Sequence, residues 1–120
     1  MKKSLAALSI CSALLTAPFA GAAELSYLFM PAALPDQHPS MLVMMHGYGA
    51  NEQDFNDFPV IVPGNMLVVS LRAPLPVAGD SYQWYRSNGS EQQEVNDVAQ
   101  SDEAVVKTVT TLQHQYHIPP

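Results

Sequence analysis

The sequence predicts an α/β fold class with a mostly parallel sheet and flanking helices. Two five-residue runs, MLVMM at residues 41–45 and MLVVS at residues 66–70, are almost wholly apolar and do not alternate. That pattern is typical of strands that are buried on both faces, as in a parallel sheet. A polar segment that predicts a short helix from Asn51 separates the two runs. Two strands joined by a helical crossover form a βαβ unit, in which the strands are parallel.

The first residues of the chain have the composition of a secretory signal peptide. Two lysines form a basic start, residues 5–15 form an apolar core, and Ala22 and Ala23 offer small-residue cleavage sites. We therefore expect residues 1–23 to be a signal peptide, cleaved after Ala22 or Ala23, with a core too short to span a bilayer. The short basic start is typical of bacterial export, which predicts a periplasmic or secreted protein without a transmembrane segment.

Two features of composition narrow the interpretation further. Cys11, the only cysteine, could instead be a lipid-modified residue, but bulky Ile10 precedes it and cleavage there would shorten the apolar core. The predicted single domain, residues 24–120, holds three basic and eleven acidic side chains. This excess of acidic groups argues against nucleic acid as a partner, because nucleic-acid binding needs a cationic surface.

The remaining elements follow in chain order. Residues 24–30 alternate and then become apolar, which predicts an edge strand, and prolines in residues 31–40 predict a loop. Residues 75–94 predict an irregular loop of about twenty residues, a length that is usually functional or mobile. A helix is predicted over residues 96–116, because its apolar residues share one face: Val98, Val105, Val109, Leu112 and Tyr116.

Two histidines near the end of that helix invite a metal-binding interpretation. His114 and His117 are three residues apart, a spacing that metal ligands use, but no acid or thiol lies near them in sequence. We therefore expect both to be solvent-exposed, and we expect no metal site and no organic cofactor.

A glycine-rich turn follows the first apolar run. The sequence His46-Gly47-Tyr48-Gly49 ends the predicted strand, and its glycines permit a positive φ and a close approach of the backbone. A strand that ends in such a turn and enters a helix leaves backbone N–H groups free at its carboxyl end. Ligands bind at that end of open α/β sheets, where these donors favour negative charge. The turn therefore predicts half of an active site.

An ordered set of motifs resembles a known family. After the first apolar run and the glycine turn come Asn51-Glu52-x-Asp54-Phe55, the second apolar run, Arg72-x-Pro74, Trp84-Tyr85, and a long helix that ends at Tyr116-His117-Ile118-Pro119. This order is similar to the N-terminal half of α/β-hydrolases of the phospholipase/carboxylesterase type, the group that includes acyl-protein thioesterase-like enzymes. The resemblance implies the N-terminal portion of an α/β-hydrolase, and an enzyme that hydrolyses carboxylic or thioester bonds of small-molecule or lipid esters.

The resemblance also implies roles for single residues. In that family the residue after His-Gly gives its backbone N–H to the oxyanion hole, which corresponds to Tyr48. Gly47 and Gly49 would support the turn. His46 could be a general base or could hold the turn; the structural role is preferred, because the triad histidine of this fold comes last in chain order. Trp84 resembles an aromatic residue that lines the acyl pocket, although it could equally fill the core.

The sequence departs from the family at the nucleophile. The elbow Gly-x-Ser-x-Gly is absent, and the nearest segment, Ser87-Asn88-Gly89-Ser90, has neither correctly placed glycines nor a strand before it. The family's serine, acid and histidine follow in that order on later loops. We therefore expect this chain to contain no nucleophile, acid or base, its sheet to be incomplete, and the 120-residue chain alone to be inactive.

Two other functions remain consistent with these residues. The chain could be a catalytically dead remnant or a ligand-binding module, in which Tyr48 and Trp84 contact an ester-like compound without turnover. It could also be a small structural or interaction domain. Such a domain would not need the glycine turn at the strand end.

Overall fold

A computed structural model describes residues 23–34, 36–56 and 61–120 of the chain. Apart from Ala23, the predicted signal peptide lies outside the described residues.

The central sheet contains three strands in the order β1-β3-β2. These are β1 (Tyr27–Met30), β2 (Ser40–Met45) and β3 (Met66–Leu71). As predicted, β2 and β3 are parallel, whereas β1 runs antiparallel to β3. The central strand β3 is buried along most of its length, because it has a neighbour on each side.

Strand β2 is less covered than its sequence predicted. Met44 is buried, but Met45 is 49 % exposed, and the residues before them are only half-buried. The expectation of burial on both faces is therefore wrong for β2. Within the described residues β2 lies at an edge of the sheet, so one of its sides has no strand to exclude water.

Residues 75–83 form a hairpin where an irregular loop was predicted. Strand β4 (Leu75–Ala78) pairs antiparallel with β5 (Ser81–Gln83) in a separate two-stranded sheet. Gly79, with a φ of 56°, begins the two-residue connection between them. An isolated bridge between Ala50 and Tyr82 joins this hairpin to the glycine turn.

The C-terminal helix α1 spans Glu91–Tyr116 and begins five residues before the predicted start. Ser90 is its N-cap, and the Ser90 hydroxyl oxygen accepts a hydrogen bond from the backbone N–H of Gln93 at 3.1 Å. His117, in the left-handed conformation, ends the helix and donates its backbone N–H to the carbonyl of Gln113.

The buried face of α1 differs from the predicted one. Leu112 is buried as expected, and Tyr116 stacks on Phe29 with ring centroids 4.7 Å apart. Val98 is 47 % exposed, so its predicted place in the core is wrong. Small and polar residues occupy the buried face instead: Asp97, Ser101, Ala104 and Thr108. These residues are buried because they have hydrogen-bond partners or little volume; Thr108, for example, accepts the N–H of Leu25 at 2.8 Å.

The predicted fold class, a mostly parallel sheet with flanking helices, is therefore wrong for the described residues. They form a small mixed sheet of three strands, a two-stranded antiparallel sheet and one α-helix. Among the described residues, the crossover between β2 and β3 contains the 3-10 turn Glu52–Phe55 and no α-helix, and the segment after β3 folds as a hairpin. The hydrophobic core lies between the sheet and α1, around Leu25, Val69, Leu71, Ala104 and Leu112.

Candidate functional site

The glycine turn at the end of β2 is a tight β-turn. The backbone N–H of Ala50 donates to the carbonyl of Gly47 at 3.2 Å, and Gly49 has a φ of 81°. A type II turn needs such a positive φ at its third residue, which glycine supplies without steric strain. Gly47, in contrast, does not have a positive φ. The backbone geometry therefore requires glycine at position 49 but not at position 47.

Tyr48 lies between these glycines with its backbone N–H unpaired. Among the described residues no acceptor bonds this N–H, and Tyr48 is 70 % exposed. The second residue of a β-turn does not use its N–H in the turn itself. The group is therefore available to an acceptor that enters from solvent.

His46 is buried and has both ring nitrogens engaged. Its Nε2 atom lies 3.0 Å from the backbone N–H of Ala73 and accepts that hydrogen bond. Nδ1 therefore carries the proton and donates to the carbonyl of Gly47 at 2.7 Å. A histidine fixed in this way has no free nitrogen with which to deprotonate a nucleophile. This geometry fits the structural role that was preferred from sequence.

The hairpin β4–β5 holds the other side of the turn. The N–H of Gly49 donates to the carbonyl of Tyr82 at 2.9 Å, and the N–H of Tyr82 donates to the carbonyl of Ala50 at 3.0 Å. The side-chain amide of Asn51 donates to the carbonyl of Asp80 at 2.8 Å. The turn is thus fixed by contacts from both its own strand and the hairpin.

An ion pair strengthens the same junction. Arg72, just after β3, donates from Nε and Nη2 to the two carboxylate oxygens of buried Glu52, at 2.8 and 2.5 Å. The Arg72 guanidinium also lies 4.6 Å from the ring centre of Tyr82. These hydrogen bonds from Arg72 lower the pKa of the Glu52 carboxyl below its ordinary value.

Trp84 is anchored directly to the turn. Its indole Nε1–H donates to the carbonyl of His46 at 2.8 Å, and its ring lies against the His46 ring with centroids 5.5 Å apart. The carbonyl of Trp84 accepts the hydroxyl of Ser101, from α1, at 2.6 Å. Trp84 is partly buried: it packs against the core and also lines a pocket.

That pocket lies beside Tyr48 and has a volume of about 190 Å³. Its lining residues are Tyr48, Trp84, Tyr85 and Ser87. Three of the four are aromatic, and none carries a formal charge. The pocket therefore joins two residues that the sequence had assigned to the site, Tyr48 and Trp84, with two that it had not.

A second ion pair holds the segment that follows the pocket. Arg86 donates its backbone N–H, Nε and Nη2 to the carboxylate of Asp97 on α1, at 2.8 to 3.0 Å. The side-chain and backbone hydrogen bonds from Arg86 lower the pKa of Asp97 from 3.8 to about 2. Asp97 is a structural carboxylate that ties the pocket segment to the helix.

Among the residues that the structure describes, no catalytic serine is assembled at this site. Ser87 lines the pocket, but within the described ranges no serine is hydrogen-bonded to a histidine. The residues described here also hold no group of three or more His, Cys, Asp or Glu that could bind a metal ion. His114 is exposed and His117 ends α1, as the sequence predicted for solvent-facing residues.

The sequence missed several residues that build the site. Tyr82 had no assigned role because the hairpin that positions it was not predicted. The backbone N–H of Ala73 and the hydroxyl of Ser101 carry no sequence signal, since their partners are distant in the chain. Tyr85 could have been found, because it adjoins Trp84 in the ordered set of motifs and a pair of neighbouring aromatic residues in a loop is a sequence signal for a binding surface.

Comparisons with known proteins give no family for this chain. No family model matches it, and no curated protein does either. Within the described residues no helix has the length and apolar character needed to cross a membrane.

Proposed function

We propose that this chain supplies the oxyanion-binding turn and the acyl-contacting surface of a serine hydrolase that cleaves carboxylic or thioester bonds. The observation that carries the proposal is the unpaired N–H of Tyr48, which lies at the carboxyl end of β2 beside an aromatic pocket. The ordered motifs that resemble the phospholipase/carboxylesterase family support the same activity. The substrate would be a small-molecule or lipid ester.

The chemistry of ester hydrolysis explains why such a donor matters. Attack on the carbonyl carbon converts the carbonyl oxygen into an oxyanion, which fixed N–H donors stabilise without reorganising during the reaction. Loss of one donor typically raises the barrier by about 3–4 kcal/mol. The hydrogen bond that His46 donates to Gly47, and those that Tyr82 forms with Gly49 and Ala50, hold the backbone around Tyr48 in place, which favours this role.

The signal-like residues at the start of the chain add a proposed location. Export to the periplasm or the medium is supported by the basic start at Lys2 and Lys3, the apolar core and the alanines at the cleavage site. The enzyme would encounter its ester substrates there.

A second candidate is a binding module without turnover. It is favoured by the state of His46, whose two nitrogens are both occupied, and by Ser87, which has no histidine partner among the described residues. Such a module would hold an ester or its acid product at Tyr48 and Trp84 and release it unchanged.

A fluorophosphonate probe distinguishes the two candidates, because it labels only a serine that a neighbouring base activates. The probe is applied to the 120-residue chain and, where the reading frame continues past Pro120, to the longer product. We expect the longer product to be labelled and to hydrolyse p-nitrophenyl esters, and the 120-residue chain to remain unlabelled. If esters bound saturably but the probe labelled none of the products, the hydrolase proposal would be rejected in favour of the binding module.

In a labelled product, two substitutions at one position test the donor itself. Tyr48→Pro removes the N–H, and we expect kcat to fall about 10²- to 10³-fold. Tyr48→Ala keeps the N–H but removes the ring, so its effect should fall mainly on KM. Equal losses of kcat in the two variants would contradict the assignment of the backbone N–H.

A further inference from the structure

The pocket beside Tyr48 is preorganised. Trp84 is held by its Nε1–H on the carbonyl of His46, by the hydroxyl of Ser101 on its own carbonyl, and by contact with the His46 ring. The following residues are tied to α1 through the three hydrogen bonds from Arg86 to Asp97. A wall fixed from both ends loses little conformational entropy when a ligand binds, which favours affinity.

The size of the pocket limits what it can hold. Its volume is about 190 Å³. An engineered cavity of about 150 Å³ in another protein holds one benzene molecule, whereas pockets for drug-sized ligands have roughly 300–1,000 Å³. The pocket thus has room for one aromatic ring and its carbonyl group, and a long acyl chain would extend into solvent.

The chemistry of the lining favours a flat, neutral group. Trp84 and Tyr85 offer ring surfaces, and Tyr85 is partly exposed, so a ligand ring can contact them. Aromatic pairs gain about 0.5–1.5 kcal/mol beyond the area that they bury. The lining holds no charged side chain that would pair with an ionic substituent on the ring.

We propose that this pocket selects a single aromatic acyl group of benzoyl size, with the carbonyl oxygen directed to the N–H of Tyr48. The inference rests on the proposed function, because it assigns the acyl group of the ester bound at that site. It makes this chain selective for aryl esters over long-chain aliphatic esters.

Trp84 provides a direct test, because it is the only tryptophan of the chain. The full chain is titrated with three amides that it does not hydrolyse: N-methylbenzamide, N-methylhexanamide and N-methyldecanamide. We expect a saturable change in Trp84 fluorescence with the benzamide, with a Kd about two- to tenfold lower than for the hexanamide. The decanamide should bind no more tightly than the hexanamide.

Two matched variants locate the effect. Tyr85→Leu keeps an apolar side chain but removes the ring, and should reduce the preference for the benzamide over the hexanamide to near unity. Tyr27→Leu, at a partly exposed tyrosine on β1 outside the pocket, should leave the preference unchanged. Tightest binding of the decanamide, an equal effect of the two variants, or no saturable response to any amide would overturn the inference.

The amides separate this inference from the proposed function. Benzamide binding without ester turnover by any product would remove the hydrolase proposal but keep the aryl pocket. Turnover with a preference for long acyl chains would keep the hydrolase and remove the aryl pocket.

Discussion

The Nε2 atom of His46 accepts the backbone N–H of Ala73 at 3.0 Å, which joins the end of β2 to the segment that follows β3. The other ring nitrogen, Nδ1, donates to the carbonyl of Gly47. One buried ring therefore connects the ends of the two parallel strands β2 and β3 and also holds the glycine turn beside the pocket. Both ring nitrogens of His46 are therefore engaged in holding backbone groups, which leaves neither of them free to accept a proton from a nucleophile.

We expect His46→Ala to destabilise the fold by about 2–4 kcal/mol, because it leaves the buried backbone N–H of Ala73 without a partner and removes a buried ring that packs against Trp84. His46→Gln can replace the bond to Ala73, and His46→Asn the bond to Gly47, so each should lose less. His114→Ala, at an exposed histidine of α1, serves as control and should stay within about 0.5 kcal/mol. The measurement is urea denaturation followed by circular dichroism. Equal effects at the two histidines would show that the hydrogen bonds of His46 contribute little.

The two glycines of the turn form a natural matched pair. A Cβ added at Gly49 or at Gly47 would meet no atom within 4 Å, so the substitutions differ only in backbone conformation. Gly49→Ala places a side chain at a φ of 81° and should cost about 1–2 kcal/mol. Gly47→Ala should change the free energy of unfolding by less than about 0.5 kcal/mol. If Gly47→Ala proved the more damaging in the same denaturation assay, the turn geometry described above would be incorrect.

The ion pair between Arg86 and Asp97 predicts a loss of stability in acid. The pKa of Asp97 is about 2 in the folded chain, below its ordinary value of 3.8. A lowered carboxyl pKa stabilises the folded state above the unfolded-state value, and this contribution is lost as the pH falls through the folded value. The midpoint temperature of thermal unfolding should therefore decrease as the pH is lowered from about 4 to about 2.

Substitution of the carboxyl tests this origin. Asp97→Asn should make the decrease in thermal midpoint over that pH range smaller. Part of the decrease should remain, because the pKa of Glu52 is also lowered and its protonation destabilises the fold as well. Asp102→Asn removes an exposed carboxyl from the same helix and is the matched control. An acid decline that is as steep in Asp97→Asn as in the control would exclude this ion pair as its source.

Part of this fold was predictable from sequence. The unbroken apolar runs in β2 and β3 predicted two strands, and the crossover expected between them predicted the parallel relationship that the structure has. The earlier start of α1 also had a signal, since Ser90 followed three residues later by Gln93 is a helix-capping pattern. The hairpin had one as well: Gly79-Asp80 between two short strands is a two-residue turn sequence.

Other features could not be predicted from local sequence. The buried face of α1 contains Ser101 and Thr108, whose hydroxyls find partners 17 and 83 residues away. Hydrophobicity alone ranks Val98 above both for burial. At the site, the glycine turn was evident from its spacing, but the occupied nitrogens of His46 depend on a backbone N–H that any residue at position 73 except proline would supply.

The most direct measurement is the amide resonance of Tyr48 while benzoate is added to the chain. Labelling with [15N]tyrosine gives five amide signals, and Tyr48→Phe identifies the one of interest. The benzoate carboxylate stands in for the oxyanion.

We expect the Tyr48 amide proton to move downfield and to saturate, because its N–H donates to the bound carboxylate. The signal of Tyr82, whose N–H is already bonded to Ala50, should stay in place. A Tyr48 signal that does not move while Trp84 fluorescence reports bound benzoate would contradict the proposal that this turn binds an oxyanion.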